Sequence, residues 1–432
     1  MSAKKNASLV APAIAVVLIV LGAVLADYFL VPERPVTQQP DAEPATTAPV
    51  GQPPIEAGPP ASAVSQEVPV ATLWSTYHGG PDLSGYTDAA FPDKPGVLWQ
   101  YLAEGATQQP PVGDEQGIYL STITGTVIAL DFQGKERWKV QLVRKATASG
   151  RDEKDRVQAP VSCFRGRLFV GSTSGILRAL DVATGAEQWA YDVNGEILGS
   201  AVLSAPDGDT GPVRVVVIER GNGALHAVDL ATGQRAWRTE DVARCDGSPA
   251  VADGFVVYGS CATAFHIHAV SDGKRIRNID LCSDCQVASG PAFVGGDLYC
   301  GARSGYFYRA DSRNGRIVWL NRDSQGDIFT SPAITKDLVV FGSEDGGVYA
   351  VNRENGDKKW RFDTGKLPSS PLVAGDKVIL GADGVLQVLK LATGEPLWNY
   401  EVSDGIAAPS FIHGMVVVCS EDGTVMAFGN KS

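Results

Sequence analysis

Tryptophan recurs at a nearly constant spacing through most of this 432-residue chain, and that spacing limits the available folds more than any other feature. Seven of the eight tryptophans are separated by 38 to 51 residues, apart from one double interval of 82 residues. Arg277 stands near the middle of the double interval, where a further tryptophan is expected. The seven are Trp99, Trp138, Trp189, Trp237, Trp319, Trp360 and Trp398. A period of this length predicts a repeat architecture.

Turn signals inside each repeat indicate four short strands. From Trp138 onward a glycine precedes each regularly spaced position by four residues, which is typical of a hairpin turn that needs positive φ. A second turn glycine recurs in phase, as does a small residue followed by proline, for example Ser331-Pro332. Proline has no backbone N–H, so at the first residue of a strand it leaves no hydrogen-bond donor of the sheet unpaired. Four antiparallel strands, A to D, at this period predict an all-β protein of the β-propeller type.

The two ends of the repeat region predict how the ring closes. The chain finishes after strands A, B and C of a last repeat, at residues 408–428, with no tryptophan strand behind them. Residues 97–101 form a tryptophan strand with no repeat before it. We therefore predict an eight-bladed propeller whose last blade takes its fourth strand from residues 97–101, with about 41.5 residues per blade.

The first 30 residues predict export. Lys4 and Lys5 precede an uncharged apolar run at residues 9–26, which is close to the length that spans a bilayer. Positive charge before such a run places the remainder of the chain on the extracytoplasmic side. The alternative is a cleaved signal peptide, since small residues occupy the positions before a cleavage after Ala26. We expect an uncleaved single-helix anchor, with the propeller in the periplasm.

A linker is predicted over residues 31–71. Residues 31–70 contain ten of the 26 prolines and no aromatic residue, so they cannot bury enough apolar surface to offset the entropy of ordering. The propeller domain is then predicted over residues 72–432.

Charge and motif content exclude several functions. The chain has 37 Lys and Arg against 49 Asp and Glu, a net charge of −12, which does not favour nucleic acid as a partner. It has five histidines and no nucleophile elbow, metalloprotease motif or phosphate loop. We expect no catalytic residues.

One repeat is specific enough to suggest a family. The pattern Ala179-x-Asp181-x-x-Thr184-Gly185-x-x-x-Trp189 resembles the tryptophan-docking motif of quinoprotein-type (PQQ-like) propellers. In that family the tryptophan packs between neighbouring blades, which implies a blade-docking role for all seven regularly spaced tryptophans. The other repeats match less fully.

A second resemblance lies just before the first repeat. The segment beginning Trp74-x-x-Tyr77-His78 and ending Ser84-Gly85 is similar to the lead-in that precedes these propellers. This resemblance implies a role for His78 in closing one end of the propeller.

The family contains dehydrogenases that bind PQQ and Ca²⁺, and non-catalytic propellers that act in outer-membrane protein assembly. This chain lacks the adjacent cysteine pair of many dehydrogenases and has little room for their insertions. The resemblance therefore implies a monomeric, membrane-tethered scaffold that binds other envelope proteins and needs no cofactor. A quinoprotein dehydrogenase and a carbohydrate-binding propeller are the alternatives.

Four of the seven cysteines fall in predicted loops at one end of the propeller. Cys245, Cys282 and Cys285 lie between strand D of one blade and strand A of the next, and Cys261 follows a B strand. In an oxidising compartment we expect these four to form disulfides. A four-cysteine zinc site and a redox-active Cys-x-x-Cys are the alternatives.

Two histidines share one face of a predicted C strand. His266 and His268 alternate along it, and His226 occupies the position equivalent to His268 one blade earlier. This repetition favours a packing role, with metal binding beside Cys261 as the alternative.

Overall fold

The computed structural model describes residues 74–144, 152–204, 212–403 and 405–430. Within these ranges the secondary structure consists of strands, turns and bridges, without an α-helix. Accordingly, no helix long and apolar enough to span a membrane occurs in them. The predicted anchor at residues 1–30 and the predicted linker at 31–71 lie outside the described residues.

Eight sheets of four antiparallel strands, each ordered A-B-C-D, make up the described chain. Each sheet is one blade. Blade 1 comprises Val112–Gly113, Ile118–Ser121, Thr126–Leu130 and Glu136–Gln141, and blade 2 comprises Ser162–Phe164, Arg167–Gly171, Ile176–Asp181 and Glu187–Asp192. Blade 3 comprises Val202–Ser204, Arg214–Ile218, Leu225–Asp229 and Arg235–Arg238, and blade 4 comprises Ala250–Ala252, Phe255–Ser260, Ala264–Ala269 and Arg275–Asp280.

The second half of the ring repeats this pattern. Blade 5 comprises Ala292–Val294, Asp297–Gly301, Phe307–Asp311 and Arg316–Asn321, and blade 6 comprises Ala333–Ile334, Leu338–Gly342, Gly347–Asn352 and Lys358–Asp363. Blade 7 comprises Leu372–Ala374, Lys377–Ala382, Val385–Lys390 and Pro396–Glu401, and blade 8 comprises Ser410–Ile412, Met415–Cys419, Thr424–Gly429 and Gly96–Leu102. Tyr86–Thr87 adds a parallel fifth strand to blade 7, and Val143–Arg144 pairs with Glu153–Lys154 between blades 1 and 2.

Strand Gly96–Leu102 completes blade 8, as the sequence predicts. It pairs antiparallel with Thr424–Gly429, and the register places Trp99 opposite Ala427 and Tyr101 opposite Val425. The beginning and the end of the propeller therefore share one sheet. This pairing closes the ring and leaves no long unpaired edge between the first and last repeats.

A one-residue register shift recurs between strands C and D just before the docking position. In blade 2, Ala179 faces Trp189 while Leu180 faces Glu187, so one residue of strand D is unpaired. The same shift occurs in all eight blades. A bulge of this kind re-aims the side chains beside it, and here it precedes the residue that reaches the next blade.

The hydrophobic core lies between blades and not within any single blade. Strands B and C are buried on both faces, as the run Leu168-Phe169-Val170 shows, because each sheet packs against two neighbours. Phe307 of blade 5 and Phe341 of blade 6 stack with their ring centroids 4.3 Å apart. Each blade therefore depends on both neighbours for burial.

Candidate interaction faces and the closed channel

The loops of the propeller fall on two opposite ends. The B–C turns and the D–A connections form one end, which we call the DA–BC face. The A–B and C–D turns form the other end, the AB–CD face. The A strands line the inside of the ring, so each face surrounds one mouth of the central channel.

Residues 74–87, which we call the strap, lie along the inner strands of the ring. The carbonyls of Trp74 and Ser75 accept hydrogen bonds from the backbone N–H groups of Gly113 and Cys163, in blades 1 and 2, at 2.9 and 2.7 Å. Bonds of 2.7 to 2.8 Å join Pro81 to Val251, Asp82 to Phe293, Ser84 to Ile334 and Gly85 to Val373, in blades 4 to 7. In blade 3, Ser200 Oγ lies 3.1 Å from Thr76 Oγ1. The strap thus contacts seven consecutive blades from inside the ring.

His78 holds the middle of the strap as a neutral side chain. It is 2 % exposed, and its Nε2 donates a hydrogen bond to the carbonyl of Pro332 at 3.1 Å. Burial lowers the pKa of His78 to about 4, so the imidazole carries no charge at neutral pH. Its ring occupies the space where Gly85 would carry a side chain. His78 is therefore placed to fix the strap, in keeping with the closing role that the resemblance implies.

Six of the seven regularly spaced tryptophans bond to the next blade in the same way. In each case the indole Nε1 donates to a backbone carbonyl at the next blade's C–D turn, at 2.8 to 3.1 Å. The donor and acceptor pairs are Trp99 and Phe132, Trp138 and Val182, Trp189 and Leu230, Trp237 and Val270, Trp319 and Arg353, and Trp360 and Leu391. The seventh, Trp398, packs edge-on against Phe428 of blade 8 at 5.7 Å.

Arg277 takes the tryptophan's place between blades 4 and 5. Its Nη2 donates to the carbonyl of Arg313 at 2.8 Å, the position that the indole nitrogen bonds elsewhere. Its guanidinium lies against Gly315, as the indole rings lie against the equivalent glycines. Arg277 Nε is buried without a hydrogen-bond partner among the described residues. The arginine therefore preserves the contact between the blades, with one donor unsatisfied.

The four loop cysteines all lie on the DA–BC face. Cys282 and Cys285 form a disulfide with a Cα–Cα distance of 5.0 Å. Cys245 and Cys261 are free thiols, and burial raises the pKa of both. The backbone N–H of Cys261 donates to the carbonyl of Arg244, the residue before Cys245. One disulfide is therefore present among the four cysteines, and the participation of Cys245 and Cys261 in a disulfide stays a prediction.

Charged side chains join three loops of the DA–BC face beside these cysteines. Arg220 pairs with Asp246 at 2.8 Å and also with Glu196, while Arg244 reaches Asp246 at 3.0 Å. These side chains are partly exposed, so the pairs contribute little stability. They give the face a polar, mixed-charge surface between blades 3 and 4.

The paired histidines make hydrogen bonds within their own blade. His266 Nδ1 donates to Asn278 Oδ1 at 3.0 Å, and its Nε2 lies 2.8 Å from Ser260 Oγ. His268 Nδ1 donates to the carbonyl of Gly273 at 2.9 Å. Burial lowers the pKa of His266 to about 4 and also lowers that of His268. These contacts are those of packed, neutral side chains. The expected equivalence of His226 and His268 is wrong, because the register makes His226 equivalent to His266, one residue before the partner of the docking position.

The described residues lack a cluster of acidic side chains of the kind that would hold the metal ion of a quinoprotein. A quinoprotein site needs several oxygen ligands for Ca²⁺ and a carboxylate base beside them. In the described ranges, no three Asp, Glu, His or Cys residues group closely enough to hold a metal ion. The described residues therefore offer no cluster of these side chains for the calcium ion of that cofactor.

Two features of these faces were not predicted from the sequence. The order in which the strap contacts the blades has no local pattern in the sequence, because the strap bonds mainly through backbone groups. A charged cleft at Asp297, Arg309 and Arg353 on the AB–CD face also escaped prediction. Its residues come from separate strands and turns of two blades, so no single segment carries its pattern.

A closed ring of eight four-stranded blades with docked tryptophans defines a quinoprotein-type β-propeller. The family model described as outer membrane protein assembly factor BamB matches residues 89–279 and 266–432 of this chain. The chain belongs to that family.

Individual relatives agree with this membership. The outer membrane protein assembly factor BamB of Shewanella oneidensis is 26% identical over 333 residues, covering 67% of this chain and 80% of the relative. The crystal structure of BamB from Moraxella catarrhalis has a TM-score of 0.65 at 21% identity and covers 78% of this chain and 98% of its own. The crystal structure of a quinohemoprotein alcohol dehydrogenase from Comamonas testosteroni also has a TM-score of 0.65, at 15% identity, and covers 84% of this chain and 82% of its own. The last two likenesses concern the fold alone.

Proposed function

We propose that this protein is a scaffold of the cell envelope that takes part in the assembly of outer-membrane proteins. The family membership supports the process, since the matching relatives are named as outer membrane protein assembly factors. The observation that carries the scaffold role is the strap, which lies along the inner side of seven blades. It makes backbone bonds of 2.7 to 2.9 Å to six of them and contacts blade 3 through the buried side chain of Thr76. The surfaces left for partners are the two loop faces and the exposed outer D strands.

The proposal includes the placement of the propeller. Residues 9–26 anchor the chain in a membrane, and the proline-rich residues 31–71 separate the anchor from the propeller. The propeller then works as a monomer in the periplasm, at a distance that the linker sets.

Cross-linked affinity capture from native membranes tests the scaffold role. The full chain carries a C-terminal tag, and a matched strain expresses the same tag on an unrelated anchored periplasmic domain. We expect envelope proteins of the assembly process to be enriched only with the full chain. Equal recovery in both strains contradicts the scaffold role.

The dehydrogenase alternative is tested on the same purified protein. The likeness to the alcohol dehydrogenase is a likeness of fold, and in the described ranges no three Asp, Glu, His or Cys residues group closely enough to hold a metal ion. Addition of PQQ and Ca²⁺ with a panel of alcohols and sugars should give no dye reduction. Saturable quinone binding with turnover would overturn the scaffold role in favour of catalysis.

A further inference from the structure

The Cys282–Cys285 disulfide lies in a turn of the DA–BC face, in the connection between blades 4 and 5. Its two cysteines differ in accessibility. Cys282 is exposed, as are Ser283 and Asp284 between the cysteines, whereas Cys285 is 0 % exposed. A thiol of another molecule therefore reaches this disulfide from the side of Cys282.

Hydrogen bonds hold the connection in place independently of the disulfide. The backbone N–H of Leu281 donates to the carbonyl of Thr263 at 2.8 Å, and that of Val287 donates to the carbonyl of Ser260 at 3.2 Å. Within the turn, the N–H of the second cysteine donates to the carbonyl of the first at 3.0 Å. The disulfide joins residues only three positions apart, and so short a loop removes little entropy from the unfolded chain. The bond can therefore break without loss of the surrounding structure.

Two hydroxyl groups lie against the buried sulfur. The hydroxyl of Tyr308 is 2.8 Å from Cys285 Sγ, and the hydroxyl of Ser304 is 3.0 Å from the same atom. A disulfide sulfur has no proton, so both hydroxyls donate. Burial raises the pKa of Tyr308, which therefore keeps its proton at neutral pH. When the disulfide opens, both donors stabilise a thiolate on Cys285, and a stabilised thiolate is the better leaving group.

The two free thiols of the same face lack these properties. Cys245 is buried and Cys261 is partly buried, and burial raises the pKa of both thiols. A thiol with a raised pKa contains little thiolate at neutral pH and reacts slowly. The reactive pair of the DA–BC face is therefore Cys282 and Cys285.

We propose that Cys282 and Cys285 form a thiol–disulfide exchange site that oxidises a dithiol of another protein. A thiolate of the dithiol attacks Cys282 Sγ and forms an intermolecular disulfide, while the Cys282–Cys285 bond breaks and its electron pair goes to Cys285 Sγ. The second thiolate of the dithiol then attacks the dithiol sulfur of the intermolecular bond, and Cys282 leaves as a thiolate.

Two electrons pass from the dithiol to the cysteine pair in this sequence, and the dithiol becomes a disulfide. The two protons that the dithiol loses to water are replaced from water on Cys282 and Cys285. This activity goes beyond the proposed scaffold function and does not rest on it.

Equilibration of the full chain in detergent with buffers of reduced and oxidised glutathione tests the site. Thiols are alkylated at each ratio, and mass spectrometry of the peptide that contains both cysteines gives the oxidised fraction. We expect reversible reduction of the folded protein at millimolar reduced glutathione, a reagent that structural disulfides resist. A bond that stays oxidised overturns the proposal. Loss of the cooperative thermal transition on reduction also overturns it, because the bond would then be structural.

Two matched variants test the order of attack. Cys285→Ser retains the exposed sulfur of the pair, and Cys282→Ser retains the buried one. We expect Cys285→Ser to form a mixed disulfide with oxidised glutathione at that position at least about tenfold faster than Cys282→Ser. Equal rates, or a faster reaction of the buried sulfur, overturn the proposal.

Tyr308→Phe tests the stabilisation of the leaving sulfur. The loss of one hydrogen bond to a charged sulfur should slow reduction by glutathione about tenfold. It should also move the alkylation of reduced Cys285 to higher pH. Tyr306→Phe is the matched control and removes a hydroxyl two residues earlier, outside the contacts of Cys285 Sγ, so rate and pH profile should not change. An unchanged rate and pH profile in Tyr308→Phe contradict the proposed step.

Transfer to a dithiol is measured directly with a reduced synthetic peptide that contains two cysteines separated by two residues. In the absence of oxygen, we expect the oxidised chain to form one peptide disulfide for each Cys282–Cys285 pair that is reduced, and Cys282→Ser to form none. Absence of peptide oxidation by the unsubstituted chain, or equal oxidation by Cys282→Ser, overturns the proposal. Either result leaves the scaffold function intact, because affinity capture tests that function separately.

Discussion

Trp360 and Gly394 meet across the boundary between blades 6 and 7, with the indole ring where a side chain of residue 394 would stand. A Cβ at Gly394 would lie 2.6 Å from Trp360 Cε3, closer than packed atoms approach. The indole Nε1 donates to the carbonyl of Leu391 at 2.8 Å, which fixes the ring over this turn. The spacing of glycine and tryptophan in the sequence therefore reflects a contact between successive blades.

Gly394→Ala should destabilise the propeller by about 2–4 kcal/mol. The substitution adds the strain of a non-glycine residue at φ +74° and displaces the Trp360 ring. Gly166→Ala is the matched control, since Gly166 has φ +76° and no atom within 4 Å of an added Cβ. It should cost about 1–2 kcal/mol. Chemical denaturation measures both, and equal costs would show that the ring contact contributes nothing.

Arg277→Trp should be at least as stable as the unsubstituted protein. A tryptophan there can donate to the carbonyl of Arg313, and it removes the buried Nε that lacks a partner. Arg277→Ala, in contrast, loses the bond and the packing and should cost about 1–2 kcal/mol. Thermal unfolding of the three proteins decides between them. A tryptophan variant as unstable as the alanine variant contradicts the equivalence of this position with the docking positions.

His78 should make stability depend on pH between about 6.5 and 4. Its folded-state pKa is about 4, below the ordinary value of 6.5, so the unfolded chain binds the proton more readily. The stabilisation by neutral His78 is complete above pH 6.5 and declines as the pH falls toward 4, by up to about 1.4 kcal/mol per pH unit.

The variant His78→Asn isolates this effect, because asparagine tolerates the φ of +64° and does not titrate. Its free energy of unfolding, measured from pH 7 to pH 4.5, should fall less steeply than that of the unsubstituted protein. His226 and His266, whose pKa values are also about 4, remain in both proteins and give a common background. Identical slopes would show that His78 is not protected from protonation.

Removal of residues 406–432 should abolish cooperative unfolding. The deletion takes all three strands with which Gly96–Leu102 forms blade 8, and it exposes the edges that the closed ring covers. Removal of residues 430–432 alone leaves strand Thr424–Gly429 intact and serves as the control. Calorimetry should give a sharp transition for the control and none for the longer deletion. A sharp transition in both would contradict the dependence of the ring on blade 8.

Periodic features of the fold were predictable because each repeat packs against its neighbours in the same way. The Trp99 strand without a repeat before it, and the last repeat without a tryptophan, together predicted the pairing that completes blade 8. Arg277 was placed correctly by spacing alone. Local turn chemistry and a repeated interface leave a local pattern, and that pattern was sufficient for the architecture.

Features assembled from distant segments were not predictable in the same way. The strap bonds through backbone groups, which any sequence provides, so the bond from Phe293 to Asp82 has no residue signature. The cleft combines Asp297, Arg353 and other side chains from two blades. In the sequence, each of these residues by itself is typical of a solvated charge on the surface. The positions of the loops within the repeat predicted that four cysteines lie on one face, but they did not predict the bond between Cys282 and Cys285.

The most direct test of the scaffold account is the abundance of outer-membrane β-barrel proteins in cells that lack this protein. Quantitative proteomics of isolated outer membranes compares the unmodified strain, a deletion strain and the deletion strain complemented with the full chain. The account predicts that barrel proteins decrease on deletion and return on complementation, while lipoproteins and inner-membrane proteins do not change. Unchanged barrel-protein levels in the deletion strain would contradict it.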